Sequence, residues 1–209
     1  MIRISYAITA CNEHVELERL LDQLNEYIRP EDEIVVQLDS TATQEVKVVA
    51  EKYNVGALYE YHRITYSLNN DFAAFKNNLK DHCTREFIVF IDADEFLSEG
   101  LILNLPELVD LNYDVDLFLV PRINTVEGLT QEHINKWGWH INQDGWVNYP
   151  DYQTRIVKNS SKIKWVNKVH ERLVGAERIT TLPEGYDLVH PKTIDRQEKQ
   201  NNFYNQIRQ

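Results

Sequence analysis

The sequence predicts an α/β fold with a doubly wound, mostly parallel sheet. Through the first 95 residues, short apolar runs alternate with segments of helical periodicity in β-α-β-α-β-α-β order. That is the pattern of parallel strands joined by right-handed helical crossovers. One run, Phe87–Ile91, is five consecutive apolar residues, as in a strand covered on both faces. It ends in Asp92-Ala-Asp-Glu95, where open α/β sheets place their ligands, beyond the carboxyl ends of the strands.

Taken in order, Ile2–Thr9 reads as the first strand. Asn12 is a candidate cap for a helix whose apolar face is Leu17, Leu20, Leu21, Leu24 and Ile28, spaced for one helical stripe. Pro30-Glu-Asp32 ends that helix, and Ile34–Leu38 forms a second strand closing on Asp39. Thr41-x-x-Gln44 matches a capping box ahead of a helix with Val46, Val49, Ala50 and Tyr53 on one face. Ala57–Tyr61 is expected as the third strand, and Asp71–His82 as a helix with Phe72, Phe75 and Leu79 turned inward.

The second half changes character. Leu117–Val120 reads as a strand, but Arg122–Pro150 has little periodicity and carries Trp137, Trp139, Trp146 and Tyr149. Two short β-like segments follow, Thr154–Val157 and Ile163–Val169, and a polar helix from about Thr193 bears Phe203, Tyr204 and Ile207. The expectation is one domain over 1–209. Residues 1–95 would form its regular, nucleotide-binding half, and 96–209 its irregular, acceptor-side half with the C-terminal helix. The aromatic cluster, with Tyr152, has the chemistry to stack on sugar rings, and equally the chemistry to cover a sheet. Gly138 and Gly145 flank the tryptophans and would let the segment act as a lid.

Composition narrows the partners. With 43% hydrophobic and 11% aromatic residues, the 209-residue chain has material for a large core. A net charge of −11 without a basic stripe argues against nucleic acid as a partner. Cys11 and Cys83 give no zinc spacing, and a reduced, cytoplasmic setting fits them. The sequence opens directly on a strand without a signal peptide, and no apolar run approaches the length of a transmembrane helix. A cytoplasmic protein, at most peripheral to a membrane, is therefore expected.

Two carboxylates one residue apart, such as Asp92 and Asp94, can both reach a divalent cation. A hard cation held by oxygen ligands also holds a diphosphate. This points to chemistry on a nucleoside diphosphate.

The chain resembles family 2 glycosyltransferases, which have the GT-A fold. The resemblance rests on Ile4–Glu13 with its Ala10-Cys-Asn-Glu13 turn, Leu38-Asp-Ser-Thr41, Lys76-Asn77, and Asp92-Ala-Asp94 at the family's Asp-x-Asp position. Asp151-Tyr-Gln-Thr-Arg155, Trp165–Val169-His-Glu171 and His190 further resemble a bacterial subgroup that builds lipopolysaccharide cores and related glycans. The resemblance implies a metal-dependent enzyme that moves a single sugar, with inversion, from a UDP-linked donor to a hydroxyl of a saccharide or lipid-linked acceptor. It implies Mn²⁺ or Mg²⁺ as cofactor, with Asp94 as direct ligand, His190 as a third ligand or diphosphate contact, and Asp92 facing the ribose or a metal-bound water. Thr9 and Ala10 would meet the base through their backbone, and Asp39 would hydrogen-bond it. Lys76, Asn77, Ala93 and Arg155 belong to the implied donor-binding set. Glu13 either contacts ribose or starts the helix. Glu171 and Asp151 are the alternatives for the base that takes the acceptor proton, and either could instead pair with Arg155 or Arg172.

Some features depart from the family pattern. The turn after Asp39 lacks the usual second aspartate and glycine, and Lys76 stands for an arginine, keeping the charge without the bidentate fork. The Gln-x-x-Arg-Trp element of processive synthases is absent, which favours single addition. A haloacid-dehalogenase-like phosphatase also uses Asp-x-Asp after an apolar strand, but near its chain start. A nucleotidyltransferase would need a Gly-rich basic loop where Ala10-Cys-Asn-Glu13 stands. A carbohydrate-binding module could use the aromatic cluster but would not need the nucleotide-side residues.

Overall fold

The computed structural model describes residues 2–54 and 58–207, with side chains described through 202. Its first half alternates β1 (Ile4–Ala10), α1 (His14–Tyr27), β2 (Glu33–Asp39), α2 (Gln44–Lys52), β3 (Glu60–Tyr66), α3 (Phe72–Asp81) and β4 (Phe87–Asp92). The second half adds β5 (Phe96–Leu97), α4 (Glu99–Leu111), β6 (Leu117–Val120), β7 (Arg122–Glu127), α5 (Gln131–Trp137) and β8 (Gln153–Lys158). It closes with β9 (Lys164–Val166), β10 (Arg172–Val174), β11 (Ile179–Thr181), β12 (Leu188–Thr193) and α6 (Ile194–Ile207).

The main sheet runs β11-β6-β8-β4-β1-β2-β3. β4, β1, β2 and β3 are mutually parallel, whereas β8 pairs antiparallel with both β4 and β6. Side-chain alternation divides the apolar residues between two cores. Ile4, Tyr6, Ile8, Val89 and Ile91 face the α1, α2 and α4 side with Leu17, Leu20, Leu21 and Leu101. Ala7, Val35, Ile88 and Phe90 face the α3 side with Leu79 and Trp165. Covering both faces is why β4 reads as an unbroken apolar run. Each fully buried leucine of α1 contributes about 1.5–3 kcal/mol through the area it removes from water.

Several boundaries differ from expectation. The first helix is capped at Glu13, not Asn12; the Glu13 carboxylate folds back to accept the backbone N–H groups of Cys11 (2.8 Å) and Asn12 (2.9 Å). The second begins after Thr43, whose hydroxyl accepts from Val46 N, because Asp39 captures the Thr41 hydroxyl instead. The third strand is Glu60–Tyr66 rather than Ala57–Tyr61. It is an edge strand with one neighbour and much exposed surface, so it shows no apolar run; Ala57 lies outside the described residues. In α3, Phe75 and Leu79 are buried, but Phe72 is only half-buried.

The segment expected to be irregular, Arg122–Pro150, holds both β7 and α5. β7 pairs with β12, which lies far along the chain, in the small sheet β5-β12-β7. Such a partner leaves no local periodic signal. The helix α4, capped by Ser98 and buried through Leu101, Ile102, Leu105 and Val109, has no counterpart in the sequence expectation. The C-terminal helix is present as α6, but Phe203, Tyr204 and Ile207 lie beyond the described side chains.

Candidate active site at the carboxyl end of the sheet

β1, β2 and β4 end together at Ala10, Asp39 and Asp92. The parallel register sets Thr9 beside Asp92, and the Thr9 hydroxyl donates to Asp92 Oδ1 (3.1 Å). Ala93 N donates to Thr9 O (3.0 Å), which fixes the turn that carries Asp92 and Asp94.

Behind this turn lies an alternating chain of charges. Glu95 is fully buried; Arg155 donates to it through Nε (3.1 Å) and Nη2 (2.7 Å), and Arg122 Nη1 adds a third bond (2.9 Å). Arg155 Nη2 also reaches Asp92 Oδ2 (2.8 Å), and Arg122 Nη2 reaches Asp151 Oδ2 (2.7 Å). Burial alone would push the carboxyls of Asp92 and Glu95 up. The cations of Lys76 and Arg155 at Asp92, and of Arg155 and Arg122 at Glu95, outweigh it and hold both below the usual range. Arg155 is likewise shifted up by Glu95 and Asp92 against its own burial.

On one side, Lys76 Nζ sits 2.8 Å from Glu171 and 3.9 Å from Asp92, above the Trp165 ring. On the other, His190 Nε2 lies 3.1 Å from Asp94 Oδ2, and its Nδ1 lies 3.0 Å from Asn124 Oδ1. The Asn124 amide N–H goes to Asp151 (2.9 Å), so its oxygen is the end that faces His190. His190 therefore donates from Nδ1, and Nε2 lies against Asp94 Oδ2. A proton on Nε2 bridges this 3.1 Å contact as an ion pair, and a divalent cation could stand in that proton's place. Imidazole backed by a hydrogen bond to its other nitrogen is the usual form of a histidine metal ligand, so the donor set fits a divalent cation. Arg196 of α6 completes this side, 3.3 Å from Asp94, 3.3 Å from Glu13 and 2.7 Å from Glu16.

The structure thus brings Thr9, Lys76, Asp92, Ala93, Asp94, Arg155, Glu171, His190 and Asp151 into one network. The other expected residues make contacts of their own. Asn77 is drawn away: its amide donates to Trp165 O (2.9 Å) and accepts from Trp165 N (2.9 Å), bolting α3 to β9. Asp39 accepts from Thr41 N (2.8 Å) and Leu68 N (2.7 Å), and it is held below its ordinary pKa although burial opposes the shift. Glu13 starts its helix and pairs with Arg196. Ala10 is buried beside Leu38 at the strand end.

Sequence reasoning missed Arg122, Asn124 and Arg196, and assigned Glu95 no role. Arg122 carried a signal, because Pro121-Arg122 follows the apolar run Leu117–Val120 just as Asp92 follows Phe87–Ile91. Arg196, on a polar helix, carried none.

The sequence model described as Glycosyl transferase family 2 matches residues 5–165. No curated protein matches the chain. Among solved structures, S. aureus TarS 1-349 superposes with a TM-score of 0.63 at 16% identity, over 91% of this chain and 60% of that one. The same segment in complex with UDP gives 0.65 at 16% identity, over 91% and 60%. Its complex with UDP-GlcNAc gives 0.63 at 17% identity, over 92% and 59%. The chain therefore spans about three-fifths of that segment, and at these identities the likeness speaks to fold: the mixed α/β, GT-A architecture is the one present.

Proposed function

The chain belongs to glycosyl transferase family 2, and from that premise we propose that it moves a single sugar, with inversion, from a UDP-linked donor to a hydroxyl of a saccharide or lipid-linked acceptor. The observation that carries the proposal is the juxtaposition of Asp94 with His190 on one side of Asp92 and of Lys76 with Glu171 on the other. A cation-and-diphosphate position and a carboxylate base then flank one strand end. The UDP and UDP-GlcNAc complexes of TarS support UDP as the nucleotide to test first.

In this reading 1–95 form the donor half and 96–209 the acceptor half of one domain. Asp94 and His190 would hold Mn²⁺ or Mg²⁺, and the mixed oxygen and nitrogen donors favour Mn²⁺. A bound cation supplies positive charge for the departing diphosphate. Thr9, Ala10 and Asp39 line the nucleotide end. Arg155 and Glu95 hold Asp92 in place rather than touching donor.

Of the two candidate bases, Glu171 fits the task. Asp151 accepts Arg122 and Asn124 on one oxygen and Gln153 on the other, and Arg122 outweighs its burial to hold it below the ordinary carboxylate range. A carboxylate so stabilised is a weak proton acceptor. Among the described residues Glu171 is held through Oε1 by Lys76 alone, and it is partly exposed; its carboxylate would take the acceptor hydroxyl's proton as that oxygen attacks. No helix among the described residues is long and apolar enough to cross a membrane. A cytoplasmic location, peripheral to a membrane if the acceptor is lipid-linked, belongs to the same proposal.

Thermal shift with UDP, GDP, CDP and dTDP, each with and without Mn²⁺, tests it, because a ligand that binds only the folded state raises the midpoint. One nucleotide should stabilise the wild type in the presence of metal, and Asp94→Ala should lose the effect. Silence from every nucleotide under both metal conditions would overturn the reading.

A further inference from the structure

Of the aromatic residues in the second half, only some are free to meet a ligand. Trp137 stacks on His133 (centroids 5.2 Å apart) and packs against Trp139 (4.6 Å), so these rings spend their faces on one another. Trp146 is placed differently. It meets Tyr149 edge to face at 4.8 Å, and the two line an open cleft of about 600 Å³ together with His140, Asn142, Asp144 and Glu184.

The wall carrying Trp146 is a preformed hairpin. Ile141 pairs with Val147, and Asn142 Oδ1 accepts from both Asp144 N (3.1 Å) and Trp146 N (2.9 Å). Gly145, at φ +80°, closes the turn with a bond from its N–H to Asn142 O (3.1 Å). Tyr149 is fixed by its hydroxyl, which donates to the buried Asp187 (2.8 Å). The hairpin is also tied to the active site. Val147 N donates to Asn124 O (2.9 Å), and the Asn124 side chain bridges His190 and Asp151.

We propose that this cleft is the acceptor subsite and that it takes an uncharged or amino-bearing pyranose, not an anionic one. The inference rests on the glycosyl-transfer reading and deepens it. An aromatic face suits the C–H face of a sugar ring, and a rigid aromatic anchor orders little on binding. The amide of Asn142 and the carboxylates of Asp144 and Glu184 offer directional partners for ring hydroxyls. The charged lining among the described residues is acidic. It repels a uronate, a sugar phosphate or a polyol-phosphate chain and tolerates or attracts an ammonium, which is specificity by like-charge exclusion.

The test uses the full chain with Mn²⁺ and UDP bound, and reads saturation-transfer NMR and affinity for methyl glucoside, methyl glucosaminide and methyl glucuronide. Wild type should bind the first two and reject the glucuronide. Trp146→Ala should weaken them about tenfold or more while keeping its UDP affinity, which shows that the variant is folded. Asp144→Asn/Glu184→Gln should narrow the discrimination against the glucuronide by about threefold to tenfold. Preference for the glucuronide, or equal glucoside binding by Trp146→Ala, would overturn the subsite. Failure of wild type to bind UDP at all would instead count against the glycosyl-transfer reading.

Discussion

Two fully buried glutamates, Glu33 and Glu95, mark opposite ends of the main sheet and are held in opposite ways. Glu33, at the amino end of β2, accepts from the Ser5 hydroxyl (2.6 Å), Thr84 N (2.6 Å) and the Thr84 hydroxyl (2.7 Å), with Arg85 only at 3.8 Å. Glu95, beyond the carboxyl end of β4, is held by Arg155 and Arg122, which also reach Asp92 and Asp151. Neutral donors end their influence at the carboxylate they satisfy. Arginines pass theirs on, because each fork binds a second anion. The first end is a closed structural joint; the second is a scaffold that aims a row of groups at a cleft.

The largest effect should come from cutting that scaffold. Arg155→Met leaves buried Glu95 and neighbouring Asp92 short of their shared cation, a loss of about 3–5 kcal/mol on the usual scale for a broken buried pair. Urea denaturation should show it, and metal-dependent nucleotide binding should vanish with it. Arg85→Met at the other end leaves Glu33 its three neutral donors and should cost about 1–2 kcal/mol. Equal costs at the two ends would erase the distinction between joint and scaffold.

Next in size is Glu171→Gln, which should lower kcat by about 10²–10⁴, far more than the weakened pair with Lys76 lowers the melting temperature. Asp151→Asn should reduce stability in the same way, by weakening the pairing with Arg122, but with a much smaller change in kcat. Steady-state kinetics beside thermal melts separate the two, and a reversed pattern would exchange their roles.

What the sequence disclosed follows the same division. Asp92-Ala-Asp94 was legible because β4 is buried on both faces and ends abruptly in charge. Lys76 was legible only through its resemblance to the family's Arg-Asn pair. Arg155 was named through the resemblance, but its partners were not legible: it reaches Glu95 because β8 pairs antiparallel with β4, and Asn124 meets His190 because β7 and β12 pair in parallel. Partners fixed by such distant pairings leave no mark within a local window. Even in the regular half, Asn12 and Thr41 were misread as caps: Asn12 gives its N–H to Glu13, and Thr41 gives its hydroxyl to Asp39.

A pH series sharpens the scaffold end further. Glu95 is held below its ordinary pKa, so across the interval between its folded and unfolded values the native state binds fewer protons than the unfolded chain. Its contribution is therefore fully present above the unfolded value of about 4.3 and drains away as the pH falls below it. Glu95→Gln has no such proton to lose. Its stability should change less steeply than wild type between about pH 5 and pH 3, as measured by urea midpoints at each pH. Parallel slopes in the two proteins would show that Arg155 and Arg122 do not stabilise the ionised form.

The smallest effect belongs to the closed end, and it separates a geometric cation site from one with chemistry behind it. Glu33, Glu60 and His62 come close enough to share an ion, yet Arg85 already stands among them, 2.6 Å from Glu60 and 3.8 Å from Glu33. A divalent cation entering there would have to displace a guanidinium and pull Glu33 from three hydrogen bonds. At Asp94, by contrast, the carboxylate meets His190 at 3.1 Å and Arg196 at 3.3 Å and, among the described residues, is not bound into three neutral hydrogen bonds as Glu33 is. His62→Ala should thus change stability by at most about 1 kcal/mol, the value of an exposed pair, and leave the Mn²⁺-dependent nucleotide shift intact, whereas Asp94→Ala removes it. Calorimetric titration of Mn²⁺ into both variants decides the matter, because a metal isotherm that disappears in His62→Ala and survives in Asp94→Ala would move the cation to the wrong end of the sheet.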